Sequence, residues 1–350
     1  MDNRQNNILP PEILMDIFRY IVHNDRNCFL DIFSASLVCK SWYWWARSLF
    51  DATEVITHFF NHTNESRNYT RIYKLLDESH RLGIRDADVI TGIHIDTHTD
   101  ISNIIELARN MTSLNLRNID LDIHADLSKI TRVSINRGYP KFIAKLENVE
   151  ELYIKRVCGV ARMVPALEQL TKIKCATFHS LKFMQFERCI TQWSELRSLH
   201  IVRPRDGCRA MMAAVGTCCA ALEELVYSGS KVWDDQDNTM FLPIVQKCAN
   251  LKKLTITHAS NVTNMLVLAA LQSRSLENLC IDACPDATID GALEVDLSKC
   301  RIHTLKLDMD IDTIDLVHIL GQCVHICHIE FCHTAGQSEI LTEFGFGDFR

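Results

Sequence analysis

The residues best suited to metal chemistry lie near the C-terminus, where cysteine and histidine recur over 323–333. The six side chains are Cys323, His325, Cys327, His328, Cys332 and His333. A structural zinc site pairs C-x-x-C with a matching H-x₃₋₅-H, and that spacing does not occur here. Ile326, Ile329 and Phe331 are interleaved with these residues in the pattern of a buried strand. The pattern favours a strand over a zinc site, and we expect no metal and no cofactor.

No nucleotide or catalytic signature occurs elsewhere. The chain has no phosphate-binding loop, nucleophile elbow, zinc-protease helix or kinase motif set. We expect no nucleophilic role for Cys39. The sequence therefore predicts a protein that is not an enzyme.

Basic residues with one tyrosine among them form a second group in the middle of the chain. Two interpretations stay open for these residues: a patch that grips an acidic or phosphorylated segment of a substrate, or exposed charges that keep a sheet soluble. The predicted substrate-binding residues are Arg117, Arg132, Tyr153, Lys155, Lys172, Lys174 and His200.

An L-x-x-L-x-L pattern would position these side chains. It recurs at intervals of 19–29 residues, close to the period of leucine-rich repeats. Helix-like stretches such as 240–248 and 263–271 lie between matches. Each repeat would place a strand on the concave side of a solenoid and a helix on the convex side. The first positions of the matches are Ile90, Met111, Ile130, Val149, Leu170, Leu196, Leu222, Leu251, Leu276, Ile302 and Ile326.

The N-terminal stretch carries more apolar surface than its length can bury. Pro10 and Pro11 suit the first turn of a helix, and Ile13, Ile17 and Ile21 recur at helical spacing. A module of under fifty residues cannot bury so many large side chains by itself. The surplus indicates a docking partner, although a helical hairpin packed on the next domain is the alternative.

This stretch resembles the F-box through LPPEI at 9–13, IF at 17–18 and LVCKSW at 37–42. The loop between them is longer than usual and contains 23–28. The resemblance implies a three-helix module that docks a Skp-type adaptor and, through it, cullin and RING subunits of a ubiquitin ligase. The residues it assigns to adaptor binding are Leu9, Pro10, Ile13, Ile17, Phe18, Leu37, Val38, Cys39 and Trp42.

The sequence thus predicts an α/β protein in which an F-box precedes a leucine-rich-repeat solenoid. We expect an F-box at 1–50, a linker or capping half-repeat at 51–88, about eleven repeats at 89–333 and a cap or tail at 334–350. The expected function is substrate recognition in an SCF-type cullin–RING ubiquitin ligase. The alternative is a scaffold that binds the adaptor, or another helical partner, outside a ligase.

The composition narrows the expected partners and the expected cellular compartment. Among 350 residues the net charge is −7, which argues against nucleic acid or an acidic membrane as partner. No apolar run has the length of a membrane span, and the polar start MDNRQNN does not resemble a signal peptide. We expect the cytoplasm or the nucleus. In such a reducing compartment the 15 cysteines act as small buried apolar residues rather than as disulfides.

Overall fold

The chain folds into two compact units, Met1–Leu146 and Glu147–Arg350. The computed structural model describes residues 10–24, 42, 56–59, 65–81, 83, 86–95, 101–119, 122–138, 141–157, 160–206, 208–229, 240–260, 262–309, 311, 313–332 and 338–339.

The first unit joins an N-terminal helix to parallel strands. Strands β1 to β4 pair in chain order, each parallel to the next. Its elements are α1 (Pro11–Asn24), β1 (Ile56–Phe59), α2 (Glu65–Arg81), a 3₁₀ turn (Asp86–Val89), β2 (Gly92–Ile95), α3 (Ser102–Leu107), β3 (Ser113–Ile119), β4 (Arg132–Gly138) and a 3₁₀ turn (Lys141–Lys145).

The second unit alternates strands with short helices or turns. Strands β5 to β12 are parallel neighbours in chain order, and β13 pairs antiparallel with β12. Its elements are β5 (Glu151–Lys155), a 3₁₀ turn (Val160–Arg162), α4 (Val164–Leu167), β6 (Cys175–His179), α5 (Glu187–Ile190), β7 (Ser198–Val202), α6 (Cys208–Cys218), β8 (Glu224–Ser228), α7 (Leu242–Lys247), β9 (Lys253–Thr257), α8 (Asn264–Leu271), β10 (Asn278–Asp282), a 3₁₀ turn (Ala292–Glu294), β11 (Thr304–Leu307), α9 (Thr313–Gln322), β12 (His328–Cys332) and β13 (Ser338–Glu339).

The strands alternate buried and half-exposed residues, as the repeat pattern predicted. In β10, Leu279 and Ile281 are buried while Asn278, Cys280 and Asp282 are half-exposed. Successive side chains of a strand point to opposite faces, so one face of the sheet is polar and the other lies in the core. Burying a Leu or Ile contributes about 1.5–3 kcal/mol, so these stacked rows are the main source of stability. This confirms a leucine-rich-repeat architecture of parallel strands and helices.

The predicted strand of the fifth repeat is misplaced by three residues. The sequence pattern placed a strand on Leu170, Ile173 and Cys175, but the strand is Cys175–His179 and its buried residues are Ala176 and Phe178. Alanine at the leucine position hid the true match, so the preceding apolar residues appeared to fit instead. Lys172 and Lys174 therefore precede the strand rather than lie on it.

Residues 51–88, expected to be a linker or a capping half-repeat, contain a strand and a helix in the part that the structure describes. Strand β1 is parallel to β2, with Ile56 opposite Gly92. Helix α2 follows over 17 residues and buries Leu76. Within the expected cap or tail at 334–350, the described residues are Ser338 and Glu339 of β13, which pair with the end of β12.

Aromatic rings fill the core beneath β6 and β7. The Phe178 ring packs edge-to-face on Phe186 at 5.0 Å and on Phe183 at 5.6 Å between centroids. Trp193 stacks on Phe178 at 6.1 Å with an interplanar angle of 17°. All four side chains are buried. Further along the sheet the position of Phe178 is occupied by aliphatic residues such as Ile256 and Ile281.

Several strands end on a residue in the left-handed region. Arg156, Ser180 and Arg203 have φ of 52°, 56° and 48°, and His258 has 55°. Each of these residues donates its backbone N–H to a carbonyl of the following strand, as Arg156 does to His179 at 2.9 Å. At Gly229, which follows β8, a Cβ would lie 2.2 Å from the His258 carbonyl oxygen, so this close backbone approach requires glycine.

The described cysteines are mostly packing residues. Burial raises the pKa of Cys189 and of Cys219 to about 12, which keeps both thiols protonated and unreactive. Cys175 and Cys327 are exposed. Within the described parts of the chain, no helix combines the length and the apolar composition needed to cross a membrane.

Candidate functional site

Helix α1 presents apolar side chains on two faces. Pro11 is its first residue, and the Pro10 carbonyl accepts hydrogen bonds from the N–H groups of Ile13 and Leu14. Leu14 and Phe18 are completely buried, one helical turn apart. On the outer side Ile13 is 47% exposed and Tyr20 is 69% exposed. An amphipathic helix that still exposes an isoleucine and a tyrosine has apolar surface available for a partner.

The residues expected to bind the adaptor divide into outer and inner positions. Pro10 and Ile13 are exposed, and Ile17 is half-buried. Phe18 is inaccessible, and its ring packs edge-to-face on Trp42 at 5.7 Å. Phe18 therefore packs inside the N-terminal module in this structure, and its assignment as an adaptor contact stays a prediction. The remaining four predicted residues, Leu9, Leu37, Val38 and Cys39, lie outside the described residues.

The residues of the predicted basic patch are divided between the two units, and each group is described by itself. Arg117 and Arg132 belong to the first unit, where Arg132 is opposite Ser113 and Arg117 is opposite Asn136. They are four strand positions apart in register, or about 13 Å at 3.3 Å per residue. The two arginines therefore do not form a common binding group.

Three predicted residues of the second unit have partners within the chain. Lys174 forms an ion pair with Glu150 at 2.8 Å, and Lys172 donates a hydrogen bond to Asn148. His200 Nε2 lies 3.2 Å from a Glu224 carboxylate oxygen. These contacts neutralise or occupy side chains that were expected to meet a substrate. The assignment of Lys172, Lys174 and His200 to a substrate-binding patch stays a prediction.

Tyr153 and Lys155 keep their predicted places on the polar face of the sheet. Both are half-exposed on β5, and Tyr153 lies opposite Thr177 while Lys155 lies opposite His179. The next residue, Arg156, and Arg203 after β7 are exposed. We call the group Lys155, Arg156, His179 and Arg203 the basic end. Within the described residues, none of its three cations forms an ion pair.

Sequence reasoning missed Arg156, His179 and Arg203. The misplaced fifth repeat left His179 unassigned, and the two arginines lie one residue beyond the strand positions that the pattern specifies. Their signal was nevertheless present, because Arg156 and Arg203 occupy equivalent places in their repeats, directly after Lys155 and Val202. A correct register for the fifth repeat aligns the three strand ends.

The following strands carry charges that satisfy one another. Glu224 pairs with Lys253 at 2.8 Å and accepts a hydrogen bond from Ser198 at 2.9 Å. Lys306 lies 3.0 Å from Glu330 and 3.7 Å from Asp282. We call this group, Glu224, Lys253, Asp282, Lys306 and Glu330, the paired end. Each of its two lysines has a carboxylate partner within the chain.

The pKa values of His179 at the basic end and Glu224 at the paired end are both lowered, but by different surroundings. Burial, followed by the charges of Lys155, Arg156 and Arg203, lowers the pKa of His179, which favours the neutral ring at pH 7. Burial alone would raise the pKa of Glu224. Hydrogen bonds from Lys253, Ser198 and His200 outweigh that effect and lower it to about 2. Excess positive charge acts on His179, whereas Glu224 is stabilised by its own partners.

The Cys/His stretch near the C-terminus does not converge on one point. Cys323 is buried, while His325, Cys327 and His328 are exposed. Ile326 and Ile329 are buried in the predicted register. No group of three or more potential metal ligands occurs among the residues that the structure describes.

Comparison with known families identifies the N-terminal module. Residues 7–49 match the F-box-like family. This stretch is therefore similar to an F-box, and it precedes the leucine-rich-repeat architecture that the buried rows and parallel registers show. No curated protein sequence matches this chain.

The solved structures that resemble this chain share little sequence identity with it. An internalin (InlF) from Listeria monocytogenes is 17% identical, with a TM-score of 0.47, over 71% of this chain and 69% of the internalin. The Rad7 and Elc1 complex in yeast is 12% identical, with a TM-score of 0.39, over 81% of this chain and 68% of the matched chain. An internalin C2 from Listeria monocytogenes is 15% identical, with a TM-score of 0.32, over 71% of this chain and 83% of that chain.

Proposed function

We propose that this protein is the substrate-recognition subunit of an SCF-type cullin–RING ubiquitin ligase. The observation that carries the proposal is the F-box-like match over residues 7–49. The module would bind a Skp-type adaptor, which links it to the cullin and RING subunits. The repeats would hold a protein substrate in the cytoplasm or the nucleus.

The geometry of α1 supports a docking role. Ile13 is 47% exposed although it lies directly before the buried Leu14. An isoleucine at the centre of a docking contact would lose its exposed surface on binding, and burying it contributes about 1.5–3 kcal/mol. Tyr20 extends the exposed apolar surface of the same helix.

The mechanism that follows is proximity rather than covalent chemistry by this chain. Holding a substrate beside the charged conjugating enzyme raises the effective concentration of acceptor lysines. The repeats suit this task because stacked strands form a broad, rigid surface. The chain itself needs no nucleophile and no cofactor for this role.

Co-expression with a Skp-type adaptor and a cullin tests the proposal. We expect the full-length chain to co-purify with both proteins and the Ile13→Asp variant to lose both, because a charge at the contact opposes its desolvation. Val317→Asp is the matched control, since Val317 is a 63% exposed apolar residue on helix α9 of the other unit. This control should retain the complex.

The outcomes separate the two functions under consideration. Recovery of the adaptor without cullin would support the alternative, a scaffold outside a ligase. Well-folded protein that binds neither would overturn the ligase function and would leave only a scaffold that binds another helical partner. Equal binding by the wild type and Ile13→Asp would remove α1 as the docking helix.

A further inference from the structure

Two buried cysteines meet between successive repeats near the end of the parallel sheet. Cys300 precedes β11 and Cys323 precedes β12, and both side chains are buried. The two strands are parallel neighbours, with Thr304 opposite His328. The thiols of Cys300 and Cys323 are hydrogen-bonded to each other. The pair therefore joins the repeats of β11 and β12 inside the core.

The segments that carry the two cysteines are held together by further hydrogen bonds. The side-chain Oε1 of Gln322, directly before Cys323, accepts the backbone N–H of Leu297 at 2.9 Å. The Leu297 carbonyl in turn accepts the N–H of Cys300 at 2.9 Å. Neighbouring strands lie about 4.8 Å apart, and a disulfide spans a Cα separation of about 4.4–6.8 Å. A bond between the two sulfurs therefore fits the spacing of these repeats.

The shared hydrogen bond makes the two thiols chemically different. It lowers the pKa of Cys300 to about 7, although burial acts in the opposite direction, and a hydrogen bond from the Ile302 N–H lowers it as well. The same bond, followed by burial, raises the pKa of Cys323. The thiolate is the reactive form of cysteine, so Cys300 is the nucleophile of the pair and Cys323 holds the proton.

Two buried cysteines of earlier repeats lack this arrangement. Cys219 precedes β8 and Cys248 precedes β9, much as Cys323 precedes β12. The Cys219 thiol lies 3.9 Å from the Trp193 carbonyl, to which it donates. Burial raises the pKa of Cys219 to about 12 and that of Cys248 to about 11, so both thiols stay protonated at pH 7. A buried cysteine before a strand is therefore not reactive in itself, and the partner thiol distinguishes Cys300.

A small oxidant suits the position of the pair. Among the described residues, β12 is covered on its outer edge by the two residues of β13 alone, and Val324 beside Cys323 is exposed. Local opening needs the least free energy where little is packed over an element. Hydrogen peroxide is small and uncharged, so a brief opening admits it, whereas a disulfide such as oxidised glutathione is far larger than the gap between two side chains.

We propose that Cys300 and Cys323 are an oxidation site at which hydrogen peroxide forms a disulfide between the repeats of β11 and β12. The Cys300 thiolate attacks one peroxide oxygen, so an S–O bond forms, the O–O bond breaks and the hydroxide leaves with a proton as water. The Cys323 sulfur then attacks the sulfenic acid, the S–O bond breaks and a second water leaves with the Cys323 proton. The two thiols lose two electrons, which reduce one peroxide to two waters.

The disulfide acts as a clamp on the end of the sheet. It encloses the chain from Cys300 to Cys323, which includes β11 and α9, and a cross-link restricts the open states of the chain that it encloses. In a reducing compartment the pair stays a dithiol until peroxide is present. The repeat of β12 therefore opens less often after oxidation. This inference does not depend on the proposed ligase function.

Thiol mapping on the full-length chain tests the cross-link. Reduced protein is treated with a small excess of hydrogen peroxide, unfolded, alkylated with iodoacetamide and digested without reductant for mass spectrometry. We expect Cys300 and Cys323 to escape alkylation together in one cross-linked product, and dithiothreitol to restore both thiols. Their loss should be at least tenfold faster than that of Cys219 and Cys248. Well-folded wild type that keeps both thiols would overturn the proposal.

Single variants separate the two roles. Cys300→Ala should leave the Cys323 thiol free, whereas Cys323→Ala should accumulate a sulfenic acid on Cys300 that dimedone labels. The matched control, Cys219→Ala/Cys248→Ala, removes two buried thiols and should still form the cross-link. Cys327→Ala removes an exposed neighbour and should form it too. A Cys323 cross-link that persists in Cys300→Ala, or one that disappears in Cys327→Ala, would overturn the assignment to this pair.

Amide hydrogen exchange measures the clamp separately. Exchange of the β12 amides should slow at least tenfold when the wild type is oxidised and should not change in Cys300→Ala. The β8 amides, which lie outside the enclosed chain, should exchange at the same rate in both states. Unchanged exchange of β12 in fully cross-linked protein would overturn the clamp.

Discussion

On the polar face of the second unit, the charged side chains form ion pairs at one end and not at the other, within the described residues. At the paired end Glu224, Lys253 and Lys306 have partners within the chain at 2.8–3.0 Å. At the basic end Lys155, Arg156 and Arg203 have none within the described residues. The charges of the paired end are met within the chain, whereas those of the basic end have no carboxylate partner among the residues that the structure describes. The same repeat thus builds two kinds of charged surface, depending on which charges face one another.

The interiors beneath the two ends also differ. Four buried rings, Phe178, Phe183, Phe186 and Trp193, lie beneath the basic end. Beneath the paired end, β8 contributes one buried aromatic pair, Tyr227 and Phe241, and the following strands contribute the aliphatic Ile256 and Ile281. Aromatic pairs contribute about 0.5–1.5 kcal/mol beyond the area that they bury.

The largest predicted effect tests this difference in the cores. Phe178→Ala should lower the free energy of unfolding by about 3–5 kcal/mol, because it leaves a cavity and removes contacts to three rings. Ile281→Ala, at the equivalent position of β10, should cost less, about 2–4 kcal/mol. Urea denaturation of the full-length variants provides both values. Equal costs would show that the aromatic cluster adds nothing beyond its volume.

A smaller predicted effect compares Lys306 at the paired end with Arg156 at the basic end in their contributions to the free energy of unfolding. Lys306→Ala should lower the free energy of unfolding by up to about 1 kcal/mol, and the loss should shrink in high salt. Arg156→Gly should raise it by about 1 kcal/mol, because glycine relieves the positive φ, and much of this gain should persist in high salt. The measurement is urea denaturation at low and high ionic strength. A loss of stability in Arg156→Gly would contradict the view that this arginine is retained at the expense of stability.

The smallest predicted effect is a separation in pH. The pKa of His179 is lowered in the folded state, so its contribution is present above the ordinary value of 6.5 and is lost as pH falls below that value. The lowered pKa of Glu224 gives a contribution that is present above 4.5 and is lost as pH falls towards 2. Stability measured against pH should show both steps.

Single variants assign these two steps. His179→Gln should remove the upper step and leave the lower one, and Glu224→Gln should do the opposite. An upper step that persists without His179 would contradict the electrostatic description of the basic end.

Much of the fold could be predicted because its signal is local. Leu279 and Ile281 are two residues apart and alternate with polar neighbours, which by itself specifies a strand with one buried face. The same reasoning failed where Ala176 replaced a leucine, because a small residue weakens the pattern even when it is completely buried. The F-box was recognised from LPPEI and LVCKSW, but the inward position of Phe18 was not, since helical spacing alone does not say which apolar face meets a partner.

The sequence by itself determined the order of modules, the repeat and most strand registers, because each depends on residues within a few positions of one another. Only the tertiary structure decided which charges are paired. Lys174 meets Glu150 across 24 residues, and Lys306 meets Glu330 across a similar distance. Such pairs form between strands that are neighbours in space, and their register depends on the whole intervening turn and helix. The same register places Lys155, Arg156 and Arg203 away from any carboxylate partner among the described residues.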